Sequence, residues 1–251
     1  MKEKMAAQLF TVKKEMSEDF SGTLKALKRM GWPAVQISAL PQEISPREVK
    51  QVLDDNQLNV AGMHISLDRL MNDLHAVIEE ANLYGTKDLV CPSLPQEYQN
   101  EKGYKQVRAM LNSIAREAKG YRISYHNHAF EFNTTVEGKN ALDYLLEPVP
   151  GNDLLAEIDV FWIKKGGYEP LTFIEPYANR MPIIHLKDMT NDERETFAEI
   201  NTGQIDFIPI LKWAEANGVE WFAVEQDQCD VSGLHSLEIS LSELAHLLEK
   251  V

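Results

Sequence analysis

Short apolar runs alternate with longer amphipathic segments from one end of the chain to the other, and this rhythm restricts the fold more than any other feature. Residues 5–11, 34–38, 60–65, 88–92, 122–128, 154–159, 182–186 and 221–225 read as strands. Between the first two, Phe20, Leu24, Leu27 and Met30 recur at three- and four-residue spacing, which predicts a helix from Ser17 to the stop at Gly31. Ser45-Pro46 opens the next helix as a cap followed by proline in the first turn. Leu70, Leu74, Val77, Ile78 and Ala81 mark a third helix that closes at Gly85, and Tyr104, Val107, Leu111, Ile114 and Ala118 mark a fourth. Residues 138–146, 170–177, 207–216 and 237–248 complete the series. Strand–helix units repeating at roughly 30-residue spacing predict an α/β chain folded as a (β/α)8 TIM barrel. No linker or shift in composition divides the chain, so residues 1–251 are read as a single domain. A doubly wound open sheet is the rival architecture. It is disfavoured because Gln8-Leu9-Phe10-Thr11-Val12-Lys13 provides no glycine-rich phosphate loop after the first strand.

Composition excludes several classes of function. A net charge of -14 without a local Lys/Arg cluster argues against nucleic acid as a partner. No apolar stretch approaches the ~20 residues needed to span a bilayer, so no membrane association is expected. Residues 1–10 lack the long apolar region of a signal peptide, and Cys91 and Cys229 do not form a disulfide framework. A reducing cytoplasm is therefore the expected location. Association into a homo-oligomer is left open.

The expected strand ends carry residues suited to metal binding and proton transfer, and in barrels of this kind the chemistry sits at those ends. The fifth strand runs into His126, Asn127 and His128, with Glu131 just beyond. The sixth ends in Glu157-Ile158-Asp159, the seventh in His185-Leu186-Lys187-Asp188 and the eighth in Glu225-Gln226-Asp227, while the third contributes His64. Side chains alternate along a strand, so His126 and His128 point the same way. Taken singly, each residue has an ordinary explanation. His185 is a structural histidine, Asp159 a helix cap, Glu225 a solvated acid and Trp162 a packing residue. Four successive strands ending in such residues are harder to explain as rim decoration. Together they form a mixed nitrogen and oxygen site suited to Mn2+, Mg2+, Co2+ or Zn2+.

With these residues in view, the chain resembles the sugar phosphate isomerase/epimerase family of xylose isomerase-like TIM barrels along nearly its whole length. The resemblance is carried by Gln8-Leu9-Phe10-Thr11-Val12, by His126-Asn127-His128-Ala129-Phe130-Glu131-Phe132, and by Asp159-Val160-Phe161-Trp162 with Gly167. His185-Leu186-Lys187-Asp188, Ile205-Asp206-Phe207 and Val224-Glu225-Gln226-Asp227 follow in order. It implies a divalent metal held by one residue from each of the last four strands, of which Asp159, His185 and Glu225 carry over directly. Many members have Glu where this chain has His126. Either His126 replaces that ligand or Glu131 reaches back to it. Gln36-Ile37-Ser38 also departs from the Glu that many members place on the second strand, and Glu199 to Gln204 departs from the usual glycine-rich approach to the seventh helix.

The resemblance implies a small keto-sugar or polyol as substrate and proton transfer next to a metal-bound carbonyl. Glu225 is the first candidate to move that proton, with Glu131 or His126 as the second catalytic group. His64, His128, Lys187 and Trp162 are candidates for holding the substrate. Epimerisation or aldose–ketose isomerisation is the expected outcome; loss of a β-hydroxyl at the same site would make the protein a dehydratase or lyase. Two rivals are a nuclease of the apurinic-endonuclease type, disfavoured by the charge, and a sugar-binding barrel without catalysis.

Overall fold

The computed structural model describes all residues from Met1 to Val251. Its core is an all-parallel eight-stranded sheet. The strands are β1 (Met5–Gln8), β2 (Ala34–Ile37), β3 (Asn59–His64), β4 (Asp88–Cys91), β5 (Arg122–His126), β6 (Leu155–Glu157), β7 (Ile183–Leu186) and β8 (Trp221–Val224). Neighbours in chain order pair from β1 to β6 and from β7 to β8, and β8 returns to β1. Between β6 and β7 the closure is sparse: a parallel bridge joins Asp159 to His185, and the His185 amide donates to the Ile158 carbonyl at 2.9 Å. The result is a (β/α)8 barrel. No helix is long and apolar enough to cross a membrane.

Alternation along the strands separates two cores. Outward-facing residues such as Leu89, Ile123, Tyr125 and Phe222 join a continuous apolar cluster of 64 buried residues shared with the helices. The lower barrel interior is filled by Ala6, Ala34 and Ala61, then by Val90, Ile183 and Ala223, with Trp221 packed against both groups. Small residues there leave room for the indole. An irregularity in the β2–β3 register between Val35 and Gln36 lets Ala61 and Gly62 both face inward, and a Cβ on Gly62 would lie 2.8 Å from Ile183 Cδ1. Re-aiming side chains is a characteristic effect of such bulges, and here it leaves His64 pointing into the barrel. Arg122 spans the floor, with Nε and Nη2 each 2.6 Å from an Asp88 carboxylate oxygen and further bonds to Glu220.

Several elements differ from the sequence expectation. The first strand stops at Gln8; residues 9–12 form a 3-10 turn, and the following helix is two pieces, Lys13–Glu18 and Phe20–Met30. Asp19 causes the break by leaving helical backbone and accepting the Gly22 amide at 2.8 Å as an N-cap. The third helix is likewise split, into Leu67–Asn72 and Leu74–Tyr84 at Asp73. The sixth helical unit begins earlier, with Val160–Lys165 capped by Asp159, before Pro170–Ile174. β5 ends at His126, so His128 lies just beyond the strand.

Candidate metal centre

Above the apolar floor, the barrel interior becomes polar at the C-terminal ends of the strands. Successive inward positions pair on four strands: His126 with His128, Glu157 with Asp159, His185 with Lys187, and Glu225 with Asp227. Gln8, Gln36 and His64 complete the lower polar layer from β1, β2 and β3. All of these are buried except His64, His128 and Asp227, which are partly so.

The lower layer is a closed hydrogen-bond network. Gln8 Nε2 donates to Gln36 Oε1 at 2.9 Å, and Gln36 Nε2 donates to Glu157 Oε2 at 2.6 Å. Glu157 Oε1 faces three imidazoles: His64 Nε2 at 2.6 Å, His185 Nε2 at 3.0 Å and His126 Nδ1 at 3.4 Å. Glu157 is held well below the usual carboxylate range: burial pushes it up, but His185 and His64 overcome that.

The upper layer is a group of unlike charges. Lys187, fully buried, places Nζ 3.0 Å from both Asp159 Oδ2 and Glu225 Oε2 and bonds to Asp227. Burial would lower this ammonium, and the carboxylates raise it above its ordinary value. Glu225 is held well below the carboxylate range, with burial opposed by Lys187 and His185. Asp159 is pushed up to about 6 by burial, which Lys187 only partly offsets. For His185, the lowering effect of burial is overcome by Glu157 and Glu225, raising it to about 10. Burial together with His185 lowers His126 well below its ordinary value, and burial with Lys187 lowers His128 to about 4.

One atom from each of His126, Asp159, His185 and Glu225 lies within 4.8 Å of the others. His126 Nδ1 and His185 Nδ1 are buried and have no hydrogen-bond partner, and Asp159 Oδ2 has only the Lys187 ammonium at 3.0 Å. Unpaired buried polar atoms are costly, and clustered ones call for an explanation such as an ion. This donor set of nitrogen and carboxylate oxygen fits a divalent transition metal or magnesium. A second group within the same distance limit is His64, His126, Glu157 and His185.

Glu131 is not brought to this centre. Its carboxylate accepts the Tyr125 hydroxyl at 2.7 Å and the His128 amide at 2.9 Å. Tyr125 faces the helices, and the 3-10 turn Phe130–Asn133 carries Glu131 to that side. Burial pushes its carboxyl up to about 8. Because the folded value lies above the unfolded one, the associated stability is full below about pH 4.5 and is lost as pH rises through about 8. Unfolding free energies from urea titrations between pH 5 and 8 should fall more steeply for the native protein than for Glu131→Gln, by at most roughly 1.4 kcal/mol per pH unit. Equal slopes would rule out a buried, raised carboxyl at this position.

The other expected site residues gather around a cavity of about 260 Å3. His64, His126, His128, Glu225 and Asp227 line it, and none of its lining residues is Lys or Arg. Trp162 does not line it; its ring centroid is 5.3 Å from that of His128 and supports that imidazole from behind. Asn127 ties two strand ends together, its Oδ1 accepting the Asp159 amide at 2.9 Å. Asp188 accepts the amides of Met189, Gly203 and Ile205, and so folds the loop after β7. The sequence placed Glu157 and Asp227 at strand ends and noted Gln8 and Gln36 in the resemblance, but assigned none of the four a role. The available signal was parity, since Glu157 and Asp227 each lie two positions from an expected ligand.

The model of the xylose isomerase-like TIM barrel family matches residues 24–249. The chain belongs to this family. As a xylose isomerase-like barrel it is similar to inosose dehydratase of Clostridium beijerinckii, with 28% identity over 172 residues covering 61% of this chain and 56% of that protein. The chain thus spans about half the length of the curated relatives it matches. A sugar phosphate isomerase/epimerase from Parabacteroides distasonis has the same fold, with a TM-score of 0.78, 22% identity and coverage of 97% and 94% of the two chains. L-ribulose 3-epimerase also shares it, with a TM-score of 0.72, 13% identity and coverage of 98% and 94%.

Proposed function

We propose that this protein is a divalent-metal-dependent dehydratase acting on an uncharged polyhydroxylated ketone of the inosose kind. The observation that carries this reading is the gathering of His126, Asp159, His185 and Glu225, with an unpartnered buried nitrogen on each histidine, beside a small polar cavity. These four residues would hold the metal. A bound divalent cation supplies Lewis acidity, polarising a carbonyl and acidifying the adjacent C–H and O–H groups.

The protein's own groups then divide the work. Glu225, at the cavity wall, takes the proton from the carbon next to the carbonyl. Lys187 joins Glu225 to Asp227, which lies on the same wall, so the proton has a hydrogen-bonded route to a second carboxylate. Asp227 returns it to the departing hydroxyl; a C–O bond breaks, a C=C bond forms and water leaves. His64 and the neutral His128 hydrogen-bond substrate hydroxyls. The acidic lining without Lys or Arg favours an unphosphorylated substrate.

We favour elimination over epimerisation or isomerisation, in which the proton would return to carbon, and the support for this is the similarity to inosose dehydratases. Incubation of Mn2+- or Co2+-loaded protein with an inosose in D2O, followed by proton NMR, separates the two. The expected result is loss of water that stops on chelation. Deuterium incorporation without elimination would favour the epimerase, and no exchange with any keto-sugar would leave only a binding protein.

A further inference from the structure

We propose that Glu157, together with Gln36, is a positioning residue that sets the ring orientation and tautomer of His185, so that its Nδ1 is offered to the metal. The inference rests on the metal-centre reading above.

The bonding logic runs through Gln36. A carboxylate without its proton only accepts hydrogen bonds. Gln36 therefore presents its amide nitrogen to Glu157 Oε2, at 2.6 Å, and its oxygen faces His185 Nε2, also at 2.6 Å. His185 Nε2 has two acceptors before it, Gln36 Oε1 and Glu157 Oε1, and must carry the proton. Nδ1 is the nitrogen left over; it has no hydrogen-bond partner and lies 3.4 Å from Glu225 Oε2, on the side of the metal group. His126 Nδ1 lies 3.4 Å from Glu157 Oε1 without a hydrogen bond between them, so Glu157 does not fix the tautomer of His126.

The same contacts argue against a second metal among His64, His126, Glu157 and His185. A cation there would need His185 Nε2 without its proton, which would leave Gln36 Oε1 facing a lone pair. The lower layer orients and the upper layer binds. The complete burial of Glu157 removes it from contact with substrate.

A carboxylate that accepts the far N–H of a metal-ligating histidine typically contributes 10- to 100-fold in metal affinity. Glu157→Gln keeps the shape but has one acceptor oxygen, which cannot face both Gln36 Nε2 and the imidazole N–H groups. Co2+ titration of the unmodified protein and of Glu157→Gln should show a Kd weakened about 10- to 100-fold and an altered d–d absorption spectrum in the variant. Long-range 1H–15N spectra of the metal-loaded unmodified protein, which need no variant to fold, should show His185 protonated at Nε2. The opposite His185 tautomer, or equal Kd and spectra in the two proteins, would overturn the inference while leaving the metal centre intact. Absence of Co2+ binding by the unmodified protein would overturn the metal-centre reading itself, and this inference with it.

Discussion

Glu225→Gln should lower turnover by about 10^2- to 10^4-fold, the range typical of a lost general base, while the protein stays folded. The side chain is nearly isosteric, and only one of the carboxylates around Lys187 is lost; Asp159 and Asp227 remain to neutralise the ammonium. Two effects act together on catalysis. The amide cannot accept a proton from carbon, and it is a poorer ligand than the carboxylate for a divalent ion. They can be separated by raising the metal concentration: restored metal content with turnover still suppressed assigns the loss to proton transfer. The measurement is turnover of an inosose at saturating Co2+ or Mn2+, alongside thermal unfolding of the same samples. Activity within tenfold of the native protein would remove Glu225 from the proposed role.

How far the sequence exposes this centre depends on the physics of each position. The barrel was legible because strand and helix periods differ and repeat, and the observed strands lie on the expected apolar runs. The helix breaks at Asp19 and Asp73 were not, because the apolar spacing continues across both caps. Asp159, His185, Glu225 and His126 could be placed together because each ends a consecutive strand, and the structure gathers one atom from each. The choice between His126 and Glu131 was left open by the sequence. Strand alternation pointed His126 inward; the departure of Glu131 depends on a 3-10 turn that residue spacing does not reveal. Glu157 was harder still, one acid among 39, with a place fixed by imidazoles from three other strands. Gln8 and Gln36 are neutral amides, and only their neighbours give them a task.

Lys187→Met should destabilise the metal-free protein by about 3–5 kcal/mol, the usual cost of removing one partner from a buried charged group. Methionine is unbranched and reaches as far as Cε, so the loss is mainly of the charged terminus. Lys187 Nζ lies 3.0 Å from Asp159 and Glu225 and also bonds Asp227, and without it these carboxylates repel one another in a site that water barely reaches. For a chain of this size, that corresponds to a fall in Tm of roughly 6–20 °C. Asp159 and Glu225 are members of the metal group as well as partners of Lys187. A divalent cation would therefore neutralise part of the charge that the ammonium neutralises in the native protein, and binding to the folded state would stabilise it further. Added Co2+ or Mn2+ should raise the Tm of Lys187→Met more than that of the native protein. If the variant melts with the native protein in the presence of a chelator, Lys187 is not the counter-charge that keeps these carboxylates together. If it is destabilised but no divalent ion recovers it, Asp159 and Glu225 do not share the ion that the geometry assigns to them.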